Sequence, residues 1–224
     1  LFIDSLTFKI QGRSLVSNNL DKLIGMFIIS PVIWFTYEFF NIALQKWYYI
    51  GTEPLGVFTN LYSFVAFSTM LPAVFVTYEL VKALFKFKEK TPKVKISKTT
   101  LYSTIFLGVI FLILPLTFPK FFFPLIWISL FFIFDPINYL RNEPNLMSYA
   151  WNKKIKIFIL LSIAVLITGF FWEFWNFYAV IKWKYVVPFV GFFKIFEMPI
   201  LGYLGYIPFS FQLYSIYHFI KSLF

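Results

Sequence analysis

Cysteine is absent from this 224-residue sequence, and histidine occurs once, as His218. Without cysteine the chain forms no disulfide, no thiolate-ligated zinc site, no iron–sulfur cluster and no cysteine nucleophile. A single histidine excludes a bis-histidine haem within the chain and argues against a histidine-rich metal site. We therefore predict no metal and no cofactor ligated by this chain alone.

Charge is also scarce, since only 13% of the residues are charged, whereas 60% are hydrophobic and 25% aromatic. Soluble domains carry about 25% charged residues. A chain with so little polar surface cannot cover its own exterior in water, but lipid solvates apolar helices. The composition predicts an integral membrane protein that contacts membrane lipids.

Six apolar stretches are long enough to cross a bilayer, because a helical crossing takes about 20 residues. They lie at 24–44, 59–85, 101–119, 121–140, 157–181 and 203–222. Residues 1–23 are too polar to span, and they predict an amphipathic surface segment or a disordered arm. The predicted fold class is all-α, a polytopic membrane helical bundle of about six transmembrane helices that forms a single unit over residues 24–224.

A proline- and glycine-rich stretch, residues 186–209, precedes the last span. It predicts a broken helix or a re-entrant segment, which membranes tolerate only where protein or a cavity covers the backbone.

Lysine and arginine are distributed unequally between the loops. With both termini on one side, that side carries fifteen of these residues and the other side five. Cytoplasmic loops are the ones enriched in Lys and Arg, so both termini are predicted to be cytoplasmic in a multi-pass protein of the inner membrane. The same placement accounts for the net charge of +10 and argues against nucleic-acid binding.

Two stretches of the chain repeat one another, YEFFNIALQKWYY at 37–49 and WEFWNFYAVIKWKY at 172–185. The equivalent pairs are Glu38 and Glu173, Asn41 and Asn176, Lys46 and Lys182, Trp47 and Trp183, and Tyr49 and Tyr185. We predict one repeat over about 24–85 and another over about 157–224, joined by a helical hairpin at about 101–140. An even number of spans between them makes the repeats parallel, related by an axis along the membrane normal.

Each Glu–Asn pair is spaced three residues apart and so shares one helix face. A carboxylate in a span is costly and faces the bundle interior, a partner or water. One interpretation is a central polar site formed by both repeats, which binds a cationic or hydroxylated group or relays protons. The other is structural, with each Glu bonded to Asn, Trp or Lys of its own repeat. The candidate polar site comprises Glu38, Asn41, Glu173, Asn176, Lys182 and Glu197.

Other charged residues predict local contacts. Lys194 and Glu197 would share a helix face if their segment is helical, and Glu79 and Lys82 predict an ion pair. Asp135 stands alone, whereas metal–phosphate sites use several carboxylates, so we predict a turn or helix cap there.

The strings WEFWN, KWKY and FEMPILGYLGYIPF, with STMLPAVF and FDPINYL, resemble a family of uncharacterised bacterial multi-span membrane proteins. The resemblance covers most of the chain beyond about residue 25. It implies a shared membrane architecture and no particular activity. The first repeat departs from the motif, with Glu-Pro in place of Glu-Met-Pro.

Three functions remain open at this stage, and no catalytic residues are assigned. The first is a non-enzymatic accessory or scaffold subunit that packs against other membrane subunits, a second copy, lipids or a hydrophobic cofactor. The second is a small transporter with a polar site at the repeat interface. The third is a membrane enzyme that acts on a lipid-borne substrate, with two Glu residues as acid and base.

A cysteine in place of Ser97 tests the predicted topology, because the chain has no native cysteine to react in its place. In intact cells this position should resist a membrane-impermeant maleimide, and it should react once the cytoplasmic side is opened. Labelling from outside only would contradict cytoplasmic termini.

Overall fold

The computed structural model describes residues 1–223 and is 73% helical. Its helices α1 to α11 are Phe2–Gln11, Leu15–Asn18, Leu20–Leu44, Thr59–Ser68, Met70–Leu84, Lys98–Thr117, Pro119–Phe122, Ile126–Leu140, Leu146–Trp151, Lys156–Tyr178 and Tyr206–Lys221. Strands β1 to β4 are Trp47–Ile50, Lys182–Tyr185, Lys194–Ile195 and Met198–Pro199. Short 3₁₀ helices lie at Glu53–Phe58, Phe123–Leu125 and Ile200–Gly205.

Five helical segments in the described part of the chain are long and apolar enough to cross a membrane. They are Leu20–Leu44, Glu53–Leu84, Lys98–Thr117, Pro119–Leu140 and Lys156–Tyr178. The predicted all-α polytopic bundle is therefore confirmed. The sixth predicted span, 203–222, forms α11, whose 16 residues fall below the length of these five segments.

The path of α11 follows from its contacts at both ends. Near its start, Tyr206 bonds Glu173 in the last turns of α10, and just beyond its end Ser222 bonds Arg141, the residue after α8. The connection between α8 and α10, which contains the short helix α9, lies at that same end of the bundle. The last helix therefore runs back along α10 to the end from which α10 starts.

The core lies where α11 packs against α8 and α10, and where α5 packs against α10 and α3. Tyr37, Leu71, Ile126, Leu213 and Tyr214 are fully buried there. Helix α6 covers the outer side of α8 and buries little of its own surface. Its Gly108 allows this approach, because a Cβ there would lie 3.0 Å from the backbone nitrogen of Ile133.

The N-terminal helix α1 turns polar residues toward the bundle and apolar residues away from it. It packs against α5 with Asp4 and Thr7 buried, whereas Phe2, Phe8 and Ile10 are exposed. The Asp4 carboxylate accepts a hydrogen bond from the backbone of α2, which fixes its inward face. The exposed apolar residues are those that a membrane surface would cover, so a surface segment stays the prediction for residues 1–23.

The segment after β2 does not form the broken helix, one of the two structures that its sequence predicts, because residues 186–199 are not helical. Residues 186–193 are irregular, and β3 and β4 then form a two-stranded hairpin with Lys194 opposite Pro199. Lys194 and Glu197 therefore do not share a helix face, because the helical segment on which that expectation depended does not form. Phe189 and Phe193 on this segment are exposed. Irregular backbone exposed to lipid is not tolerated in the hydrocarbon core, so a position at the membrane interface is the expectation for this segment.

Candidate functional site

Asn41 fixes the chain where it leaves α3. Its side-chain amide donates to the Trp47 carbonyl at 2.7 Å, and its amide oxygen accepts from the Lys46 backbone N–H at 2.8 Å. Gln45, the residue directly after α3, has the left-handed backbone conformation that ends the helix. One side chain in the last turn of the helix thus orients the start of β1 and satisfies backbone groups that have no helical partner.

Asn176 makes similar contacts in the second repeat. Its amide donates to the Trp183 carbonyl at 3.0 Å, and its oxygen accepts from the Trp183 N–H at 2.8 Å. The extra residue between Asn and Lys in this copy lies in the connection between α10 and β2. The amide still bonds the carbonyl of the equivalent Trp, whereas the closest N–H donor to the oxygen is that of Trp183 and not that of Lys182.

Strands β1 and β2 pair with one another and so join the two repeats. The register is antiparallel, with Trp47 opposite Tyr185 and Tyr49 opposite Trp183. Trp47 thus lies opposite Tyr185, the counterpart of Tyr49, and Trp183 lies opposite Tyr49, the counterpart of Tyr185. A local two-fold axis between the two repeats produces this exchange. Both Lys-Trp loops lie at the same end of the bundle. The close approach of the two repeats beside β1 and β2 requires Gly51, which has φ +76°. A Cβ added at this position would lie 2.5 Å from the Val180 carbonyl oxygen.

Glu38 lies beneath β1, where one carboxylate oxygen accepts three hydrogen bonds. The donors are the indole N–H of Trp34 at 2.8 Å, the indole N–H of Trp47 at 3.0 Å and the Tyr49 hydroxyl. All three donors come from its own repeat. The carboxylate therefore ties α3 to the side chains of β1.

Glu173 occupies the equivalent place under β2 but has different donors. It is fully buried, and its Oε1 accepts from the hydroxyls of Tyr185 and Tyr206, each at 2.7 Å. The Trp183 indole bonds the Tyr185 hydroxyl instead of the carboxylate. Its Oε2 has no hydrogen-bond partner within residues 1–223.

The two carboxylates do not share a donor. Each is held by aromatic donors of its own repeat, and neither Glu bonds the Asn on its helix face. The arrangement matches the structural interpretation in its Trp contacts to Glu38, whereas the tyrosine donors were not expected. The β1–β2 sheet, and not a direct contact between Glu38 and Glu173, connects the two halves of the candidate site.

Among the described residues, Lys182 and Glu197 bond neither Glu38 nor Glu173 directly. The Lys182 ammonium donates to the Phe177 carbonyl at 2.6 Å, and Glu197 forms an ion pair with Lys184 at 2.9 Å. Sequence reasoning assigned no partner to Lys184. The pair holds the β3–β4 hairpin against β2, although the residues are 13 positions apart in the sequence.

Asp135 is a helix cap, as its isolation in the sequence predicted. It is buried in α8, and its two oxygens accept from the backbone N–H groups of Leu146 and Met147 at 2.9 and 2.6 Å. Those are the first residues of α9, so the cap acts on the next helix and not on α8 itself. Ser215 of α11 also donates to the carboxylate, at 2.7 Å.

A second carboxylate cluster lies at the opposite end of the bundle and centres on Glu89. The Glu79–Lys82 ion pair forms as predicted, at 2.7 Å, and Lys82 also contacts Glu89 at 3.1 Å. Glu89 accepts further hydrogen bonds from Tyr78 at 3.2 Å and Tyr214 at 2.6 Å. Sequence reasoning missed this residue, although it is the one acidic side chain in the basic run KFKEKTPKVKISK.

Glu89 carries a pKa shift with opposing causes. Burial alone raises the pKa of the carboxyl, but the Lys82 ammonium and the Tyr214 hydroxyl outweigh burial and hold the pKa below its ordinary value. A carboxylate stabilised in this way favours the folded state when it is ionised. It fastens the loop at 85–97 to α5 and α11.

No group of three or more His, Cys, Asp or Glu residues that could hold a metal occurs in the part of the chain described by the structure.

Asn176→Ala should destabilise the protein, because it removes both bonds to Trp183 and leaves backbone groups without their partner. We expect a loss of about 1–3 kcal/mol in the free energy of unfolding, measured in detergent. Asn41→Ala should have a similar effect, and Asn60→Ala, at an exposed position of α4, serves as the control. Equal stability of all three variants would contradict the role given to the two Asn residues.

Glu89→Gln should change how stability depends on pH. Because the folded-state pKa is lowered, the ionised carboxylate contributes stability that is present above its unfolded pKa, about 4.3, and is lost as pH falls through the folded pKa. The melting temperature of the variant should therefore lie below that of the wild type at pH 7, and the gap should narrow below about pH 4. Glu53→Gln, at an exposed position, should follow the wild type throughout. A gap for Glu89→Gln that does not narrow would contradict this assignment.

Comparison with known proteins gives no relative. No protein-family model, no curated protein and no solved structure matches the chain. The resemblance to bacterial multi-span membrane proteins therefore rests on the quoted motifs, and the site must be interpreted from its own geometry.

Proposed function

We propose that this integral membrane protein acts as a non-enzymatic accessory or scaffold subunit. The observation that carries the proposal is the bonding of the repeated Glu and Asn residues. Both Asn side chains hold the backbone of their own strand, and both Glu side chains hold aromatic residues of their own repeat. These contacts give the motif a structural role that accounts for its duplication without a substrate.

The outer surface of the bundle supports the same proposal. Helix α4 buries none of its residues, and its Leu61 and Val65 are about 60% exposed. Helix α6 likewise exposes Phe106 and Ile113. Two spans with large apolar faces offer room for lipid, for another membrane subunit or for a second copy of this chain.

The proposal includes the orientation of the chain across the membrane. The fifteen-to-five division of Lys and Arg supports cytoplasmic termini and the inner membrane. In that orientation the β1–β2 sheet and the β3–β4 hairpin face outward, and the Glu89 cluster lies at the cytoplasmic end.

Purification from the native host in mild detergent tests the scaffold function. We expect a complex of fixed stoichiometry, with a partner subunit or a second copy, when its mass is measured. A photo-crosslinking residue at Val65 or at Ile113 should then show which of the two faces makes the contact. A lone chain that gives no protein adduct at either position would contradict the proposal.

A small transporter is the second candidate, and one observation favours it. Glu173 is buried and keeps Oε2 free of any partner within residues 1–223, whereas Glu38 accepts three bonds on one oxygen and is only partly buried. A buried carboxylate oxygen without a donor is where a cationic or hydroxylated ligand would bind. The second repeat is therefore the half in which a ligand site is favoured.

Glu173→Gln separates the two candidates, because the amide keeps Oε1 as an acceptor for Tyr185 and Tyr206. A structural role predicts a change of no more than about 1 kcal/mol in stability and an intact assembly, whereas Glu173→Ala loses about 1–3 kcal/mol. A transporter predicts that Glu173→Gln folds and assembles normally but no longer takes up its ligand. Glu38→Gln is the matched control and should keep uptake in either case.

A further inference from the structure

A basic cavity of about 500 Å³ opens beside the Glu89 cluster. Four lysines line it: Lys88, Lys90 and Lys93 from the loop that precedes α6, and Lys154 from the loop that precedes α10. Within the described residues no carboxylate lines this cavity, and none of the four lysines forms an ion pair. Four cations around one cavity repel one another unless an anion lies between them.

Tyr149 adds a buried hydrogen-bond donor to the same cavity. The side chain is 2% exposed, and its hydroxyl has no hydrogen-bond partner within residues 1–223. Burial, reinforced by the charge of Glu89, outweighs the opposing effects of the Thr91 side chain and the Lys90 backbone and raises the pKa of Tyr149 to about 12, so the hydroxyl keeps its proton at neutral pH. A buried hydroxyl without an acceptor is costly, and an anionic oxygen would satisfy it.

The neighbouring carboxylate does not neutralise the lysines of the cavity. Glu89 is already occupied by Lys82, Tyr78 and Tyr214. The positive charge around Tyr149 is therefore available to a ligand from outside the chain.

We propose that this cavity binds a phosphate-bearing anion. Lysines supply point charges that suit phosphate oxygens, and the Tyr149 hydroxyl supplies one oriented donor. The cavity lies among the loops at one end of the bundle, where the phosphate of an anionic lipid headgroup or a free phosphate compound would reach it. Basic pockets at the cytoplasmic ends of membrane helices are suited to anionic headgroups.

Tyr149→Phe is the decisive variant, because it removes the hydroxyl and keeps the ring. Since the hydroxyl has no partner in the protein, the variant should fold with unchanged or higher thermal stability. Its affinity for the anion should fall on the order of tenfold, as expected for one lost hydrogen bond to a charged group. A role in packing alone would not separate affinity from stability in this way.

The binding measurement uses the purified protein in detergent with two probes, inorganic pyrophosphate and phosphatidylglycerol, against phosphatidylcholine as the neutral lipid. A Lys90→Gln, Lys93→Gln double variant should bind less tightly and show a weaker dependence on salt. Lys120→Gln, at the opposite end of the bundle, should bind like the wild type. Stabilisation by phosphatidylglycerol alone assigns the site to a lipid headgroup, and stabilisation by pyrophosphate assigns it to a soluble phosphate. The proposal is overturned if neither probe binds, or if Tyr149→Phe and the double variant bind as the wild type does.

Discussion

The structure depends on how the backbone is satisfied where a membrane helix ends. The last carbonyls of a helix and the first groups of the following strand have no helical partners, and they cannot be left bare close to lipid. In both repeats a single Asn in the last turn of the helix meets this requirement by bonding backbone groups six or seven residues later. The direction of each strand follows from that contact, and so does the pairing of the strands.

The paired strands in turn explain the buried carboxylates. A Trp and a Tyr two residues apart on one strand point to the same face of the sheet. That face lies over the last turns of α3 and α10, so indole and phenol donors need acceptors there. Glu38 and Glu173 provide these acceptors, three residues before each Asn and on the same helix face. The Glu, Asn, Trp and Tyr residues of the repeated pattern are thus one structural unit, joined by the hydrogen bonds between helix end and strand.

Sequence alone predicted the helical bundle and the repeated motif, because apolar length and residue identity are local properties. It did not predict that β1 pairs with β2, since 132 residues separate Ile50 from Lys182, its partner in the strand register. Sequence analysis also did not predict the ion pairs Lys184–Glu197 and Lys82–Glu89. Lys194 is closer to Glu197 in the sequence than Lys184 is, and Glu89 has lysines on both sides. The sequence therefore does not show which lysine forms each ion pair. Such choices depend on how loops fold over helix ends, which helical periodicity does not encode.

The two repeats differ where their carboxylates meet the rest of the bundle. In the first repeat Trp34, one turn earlier on α3, donates to Glu38, so the site is completed locally. In the second repeat the sequence has Gly169 at the corresponding distance before Glu173, and this glycine packs against the ring of Tyr206 from α11. A Cβ at position 169 would lie 2.8 Å from that ring, so the small residue is what admits it. Replacement of a local indole by a distant phenol links Glu173 to the last helix. All hydrogen bonds to Glu38 go to one oxygen as well, but only in Glu173 is the oxygen without a partner buried within residues 1–223. The duplication therefore yields one partly exposed carboxylate bonded from its own helix and strand, and one fully buried carboxylate bonded to the last helix. This difference in burial is the reason why the proposed ligand site is assigned to the second repeat.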